Sequence, residues 1–227
     1  MNWTEPETLS AFLEYREPQD GAHWVSCLIA LLRDARVVTG RDVTTGEVEV
    51  DKQDLAGRWL GAVGYMTFFD QIGSAYRPGN VPELVFGPTF IKALRYFAPE
   101  IGEAEREALY ALRCSFVHDY SLVNVPSQGS QAVRELRTHH FMHTAPDETG
   151  TIVRLPRQRW DGIGGNCRIN NATWVNLWAL GDLAETVFRR LAKLHETGDL
   201  EIALPGGLSE LQRRYSMTVR PIRFVDP

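Results

Sequence analysis

Residues 52–75 constrain the fold more than any other stretch of the chain. Leu55, Trp59, Leu60, Val63, Met66, Thr67 and Phe69 make a wide apolar stripe at helical spacing. Gly57, Gly61 and Gly64 lie within it, and each costs up to ~1 kcal/mol of helix stability relative to alanine. Such residues are tolerated where another helix must come close. The pattern therefore predicts a buried, tightly packed helix that stops before Pro78-Gly79. The apolar runs near 24–32 and 61–69 fall well short of the ~20 residues a membrane-spanning helix needs. They read as buried helices of a soluble protein.

Other helices follow from the same kind of pattern. Thr4, Pro6 and Glu7 mark the start of one over 4–15. Residues 21–38 carry Trp24, Val25, Leu28, Ile29, Leu31 and Leu32 and predict a mostly buried helix. The Thr- and Gly-containing segment 39–51 reads as a loop or a short edge strand. Short helices are expected over 88–97 and 208–215, the latter followed by an extended end. A longer helix is expected over 102–118, with Glu103, Glu105 and Glu107 near its start, where the helix dipole favours acids. A long helix is expected over 172–194.

Between these last two long helices the pattern changes. Residues 124–131 read as a loop, and 136–143 with 151–155 read as a hairpin across the turn APDETG. A second loop spans 156–171. The chain contains no internal repeats and no domain linkers. The expectation is an all-α bundle forming a single domain over 1–227, with a β-hairpin insertion at about 124–171.

Composition narrows the function classes. Of 227 residues, 24 are Lys or Arg and 29 are Asp or Glu, giving a net charge of −5. That argues against a broad basic surface for duplex DNA or anionic lipid, though not against a local basic groove. Cys27, Cys114 and Cys167 are an odd number, widely spaced and without a CxxC, so neither a disulfide framework nor a zinc-finger pattern is expected. The start, MNWTEPETLS, has neither the basic nor the apolar region of a signal peptide. A reducing, cytoplasmic setting follows as the expectation, with no membrane association.

The segment Leu112-Arg113-Cys114-Ser115-Phe116-Val117-His118-Asp119-Tyr120 carries the strongest chemical signal. Arginine is always charged and forks onto phosphate. Histidine titrates near neutral pH and moves protons. RNA cleavage needs both functions, and RNA supplies its own nucleophile, so no metal or other cofactor is required. On an ideal helix residues five apart are rotated by about 140°. Arg113 and His118 therefore meet only if the helix ends near Val117, or if each faces a second copy. A structural reading also fits, with Arg113 paired to Glu107 or Asp119 and His118 capping the helix end.

The stretch resembles the signature of the HEPN superfamily, an Arg followed after four to six residues by a His near the end of a long helix. Arg113-x4-His118 meets it at the shortest spacing, and Cys114 stands where family members often carry Asn, Asp or His. The resemblance covers about 103–122 well and the helix order loosely. It implies an HEPN-like all-α fold, a homodimer with two Arg–His pairs in one composite cleft, and a metal-independent endoribonuclease of a toxin or anti-phage defence system, with an antitoxin or defence partner. Arg113 and His118 would be catalytic, with Cys114, Ser115, Asp119 and Tyr120 supporting them. The alternative is a non-catalytic HEPN-like module that binds RNA, a nucleotide or a protein.

Arg154, Arg157, Arg159 and Arg168 face one acid, Asp161, over 154–168, with Trp160 among them. Arginines interleaved with an aromatic suit single-stranded RNA, through phosphate pairing and base stacking. Arg154, Arg157, Arg159 and Trp160 are therefore the RNA-binding candidates, set against a solvated loop whose arginines pair with the acidic helices. His139, His140 and His143 invite a metal reading. On a strand His139 and His143 lie roughly 13 Å apart, too far to share one ion, whereas on a helix they would be adjacent. The strand reading is preferred and no metal site is expected. The loop DGIGGN at 161–166 matches no phosphate-binding pattern and reads as a turn. No Ser-His-Asp or paired-carboxylate arrangement stands out.

Overall fold

The computed structural model describes residues 9, 10, 12, 13, 23–124, 139–143 and 151–219. Strand β1 (His23–Ser26) runs straight into helix α1 (Cys27–Val38). A 3-10 turn (Val50–Leu55) leads to α2 (Trp59–Ala75), followed by β2 (Tyr76–Pro78), α3 (Thr89–Phe97) and α4 (Glu103–Asp119). Next come β3 (Val123–Asn124), β4 (His139–His143), β5 (Val153–Arg154) and β6 (Thr173–Val175). Helix α5 (Leu177–Glu196), β7 (Leu200–Ile202), α6 (Gly207–Tyr215) and β8 (Ser216–Val219) complete the described chain.

The all-α expectation is overturned, and the chain is mixed α/β with three sheets. Strands β1 and β8 form one antiparallel pair, and β2 and β7 another. The third sheet has four strands in the order β3-β4-β6-β5. It also corrects the hairpin. β4 does not pair with β5; β6 lies between them, parallel to β4 and antiparallel to β5. The predicted helix over 21–38 begins as a strand, as does the one over 172–194. The reason is local. These strands are three or four residues long and abut helices of the same apolar character, so periodicity merges the two. Ser26 and Asn176 mark the true helix starts: the Ser26 hydroxyl accepts from the Ile29 amide at 3.4 Å, and the Asn176 side chain accepts from the Trp178 and Ala179 amides at 3.1 Å. The helices expected over 88–97, 102–118 and 208–215 lie where predicted. In segment 39–51 an isolated bridge joins Arg41 to Val48. Most of the predicted helix over 4–15, the loop beyond 124 and the turn at 144–150 lie outside the described residues.

One buried apolar cluster joins Leu28 of α1, Phe68 of α2, Phe90 of α3, Leu112 of α4, Val187 of α5 and Leu211 of α6 to Phe141, Val153 and Val175 of the four-stranded sheet. Helix α2 runs through its centre, and its glycines explain how. A Cβ on Gly61 would lie 2.1 Å from Thr39 Cγ2, and one on Gly64 2.9 Å from Ala35 Cβ, so α1 rests against backbone. A Cβ on Gly73 would meet the Thr89 carbonyl oxygen at 1.9 Å, where α3 begins. Gly73→Ala is therefore expected to force α2 and α3 apart and to destabilise the protein by about 1–3 kcal/mol, the usual range for overpacking. Urea denaturation checks this, and an unchanged midpoint would contradict it.

Candidate active site

The close approach at Gly73 also builds the site. One turn earlier on α2 stands Asp70, the one charged residue in Trp59–Ala75. A carboxylate in so apolar a helix needs partners, and among the described residues it has two. Thr89, brought near by the α2–α3 contact, donates its hydroxyl to Asp70 Oδ1 at 2.8 Å. Arg113, from α4, donates Nε to Asp70 Oδ2 at 2.6 Å. Both side chains of this ion pair are about one-fifth exposed, enough shelter to make the charge-assisted bond a firm anchor.

From that anchor the guanidinium reaches His118. Arg113 Nη1 lies 3.0 Å from His118 Nε2. Arginine only donates, so in this contact Nε2 is the acceptor. The two residues thus meet within one chain although the helix continues through Asp119. The long arginine side chain bridges the angular gap that an ideal helix leaves. Burial works against the charge on Arg113, but hydrogen bonding and charge from Asp70, with a contribution from Cys114, hold its pKa above the usual arginine value.

Helix α4 ends abruptly behind the pair. Tyr120 takes a left-handed conformation, φ 51° and ψ 40°, which is costly for a residue with a Cβ. Its amide returns to the Phe116 carbonyl at 3.0 Å and that of Ser121 to Ser115 at 3.2 Å, closing the helix end. The Tyr120 ring packs 5.6 Å from Trp59 and 5.7 Å from Phe116. This aromatic cluster holds the last turn, and His118 with it, against the start of α2.

The other predicted residues divide. Cys114 is half-buried and a free thiol. Ser115 is buried and spends its hydroxyl on the Ala111 and Leu112 carbonyls, so its part is structural. Asp119 is exposed. Arg154, Arg157 and Arg159 are exposed on the four-stranded sheet and the loop after it. Trp160 is not a free stacking surface: it is 4% exposed, donates its indole N–H to the Ile163 carbonyl and lies edge-on to His140. The aromatic that meets an arginine is Trp174, with Arg154 4.9 Å above its ring. Asp161 accepts from Ile163 and Asn166 and shapes the turn at Gly162. His139 contacts the Thr173 hydroxyl at 2.6 Å, and the His143 side chain lies outside the described residues. Among the described residues no three His, Cys, Asp or Glu side chains group to hold a metal ion. No helix among them is long and apolar enough to cross a membrane.

Sequence reasoning missed Asp70 and Thr89, and it read Trp59 only as part of an apolar stripe. A signal for Asp70 was present in its isolation within an apolar helix.

No family model, curated protein or solved structure matches this chain. The fold and site define a mixed α/β protein in which a carboxylate-anchored arginine contacts a histidine.

Proposed function

We propose that the protein is a metal-independent endoribonuclease acting through Arg113 and His118. The observation that carries this reading is the 3.0 Å contact between an arginine fixed by Asp70 and a histidine whose Nε2 holds a lone pair. The motif resemblance to the HEPN superfamily supports it. A phosphodiester entering the site would take the donors of Arg113 in place of His118 and release that lone pair. His118 then accepts the proton of the RNA 2′-hydroxyl. The 2′-oxygen attacks phosphorus, the bond to the 5′-oxygen breaks, and a 2′,3′-cyclic phosphate remains. Arg113 stabilises the added negative charge. The departing oxygen takes a proton from an imidazolium, which a second copy of the chain would supply in a homodimer. A cytoplasmic toxin or anti-phage defence setting, with a partner protein to restrain the activity, belongs to the same proposal.

Incubating the protein with RNA in EDTA tests this. Cleavage should persist under chelation and vanish in both Arg113→Ala and His118→Ala. Loss with EDTA, or cleavage retained in both variants, would refute it.

A second reading has its own observation. Arg113 is already ion-paired, and Cys114 offers a weaker hydrogen-bonding group than an amide would. Both suit a non-catalytic module that binds RNA, a nucleotide or a protein. If the parent protein is inert and Cys114→Asn cuts RNA, this reading is preferred.

A further inference from the structure

The outer face of the four-stranded sheet carries a second concave feature. Strands β5 and β6 pair Val153 with Val175 and Arg154 with Trp174. Side chains alternate along a strand. The valines are buried in the core, and Arg154 and Trp174 therefore share the opposite face. The Trp174 indole N–H points to the Ile169 carbonyl at 3.4 Å, which orients the ring. The following loop folds back along the edge, with the Arg157 and Gln158 amides both donating to the Asn170 carbonyl, at 2.9 and 3.1 Å. Between loop and strands lies a cleft of about 260 Å³. Leu155 and Ile169, 39% and 66% exposed, form its apolar walls.

The chemistry of the lining selects a ligand. Arg157 is exposed and, among the described residues, its side chain makes no hydrogen bond or ion pair, so its five donors face solvent at the rim. No lining residue is acidic. Beside this cation lie a guanidinium stacked on an indole and two aliphatic walls, a surface for a flat, partly apolar group. The volume is below the roughly 300–1,000 Å³ of pockets for drug-sized ligands, which suits a single nucleobase and not a dinucleotide cofactor.

We propose that this cleft takes one unpaired nucleotide of single-stranded RNA, its base lying along the Arg154–Trp174 platform and its phosphate on Arg157. The inference rests on the reading of the chain as a protein that acts on RNA. It deepens that reading by making the substrate single-stranded at a position held outside the Arg113–His118 pair, because a duplex hides the base faces the cleft would contact.

The test measures binding, apart from cleavage. Fluorescence anisotropy with a labelled 12-nucleotide RNA is run in EDTA on the full chain carrying Arg113→Ala and His118→Ala. Trp174→Leu added to this background should weaken binding about 5- to 150-fold, the range for losing one base–aromatic stack. Arg157→Gln, an exposed change that leaves the core intact, should weaken it and reduce the salt slope by about one. A duplex of the same sequence should bind more weakly and respond to neither change. Unchanged single-strand affinity in both variants would overturn the inference, as would equal losses for duplex and single strand. Displacement of the RNA by free adenosine monophosphate at the RNA's own Kd would also overturn it. Binding lost in these variants while the parent protein cuts no RNA keeps the cleft and rejects the nuclease. Cleavage with a KM untouched by Arg157→Gln and Trp174→Leu does the reverse.

Discussion

His118→Ala is expected to slow RNA cleavage by about 10²–10⁴-fold, the usual worth of a positioned general acid or base, and to leave stability nearly unchanged. The second half follows from exposure. The His118 side chain is exposed and, among the described residues, hydrogen-bonds to Arg113 alone, and surface changes of that kind fall within about ±0.5 kcal/mol. Asp70→Asn separates positioning from chemistry. It keeps the shape of the Arg113 anchor and removes its charge, so kcat should fall by up to about 10²-fold, as expected when a reacting group is misplaced by about an ångström. KM should move less, because Arg113 still carries its charge to the phosphate. Single-turnover rates checked beside thermal unfolding decide the matter. A stability loss that accounts for the whole drop in rate would show that these residues are structural.

Glu185→Ala should destabilise the protein by about 3–5 kcal/mol, because it strands a buried cation. Arg36 and Glu185 have side chains only 6% and 3% exposed. They meet in a fork, Nε to Oε1 at 2.9 Å and Nη2 to Oε2 at 2.6 Å. The third guanidinium nitrogen donates to the Val43 and Thr44 carbonyls at 2.7 and 3.2 Å. The pair thus ties α1 to α5 and fastens the loop between α1 and α2 over both. Gly46 is part of the fit: its φ is 76°, and a Cβ there would lie 2.2 Å from Glu185 Oε2, so no other residue suits both the turn and the approach. Arg36→Met with Glu185→Leu should recover most of the loss, since apolar replacement of a whole buried pair is often neutral or better. Urea denaturation measures both. A loss under about 1 kcal/mol for Glu185→Ala would mean that water reaches Arg36.

How much of this could be read in the residues depended on the length of each element. Helix α2 was legible from Trp59 onward because its stripe is long, and Thr39 and Ala35 explain Gly61 and Gly64; the expected start at residue 52 was too early, since Val50–Leu55 form a 3-10 turn and Gly57 precedes the helix. Helices α3, α4 and α6 were legible for the same reason of period. The sheets were not. Strands of two to five residues, several fused to helix ends, leave too little alternation to register, and the partners that define them are far away in sequence: β1 with β8, β2 with β7. The pairing of β4 with β6 is parallel and joins residues 32 apart, Phe141 with Thr173, whereas turn residues at 144–150 suggest the nearer partner β5. The site shows the same division. Arg113 and His118 were found by local spacing, and the structure joins them. Asp70 and Thr89 come from other helices, and only the α2–α3 contact brings them in. Trp160 drew attention as an aromatic among arginines, yet cross-strand register puts Trp174 against Arg154. Net charge misleads in the same way, since the −5 total averages over a cleft whose lining, among the described residues, holds Arg154 and Arg157 and no acid.

The chemical form of the RNA ends tests the central claim most directly. A short RNA cut by the protein in EDTA should yield a 2′,3′-cyclic phosphate and a 5′-hydroxyl by mass spectrometry, and a single 2′-deoxy substitution at the cut site should abolish that cleavage. Products ending in 3′-hydroxyl and 5′-phosphate, or equal cutting of the 2′-deoxy substrate, would contradict a mechanism in which His118 activates the RNA's own hydroxyl beside Arg113.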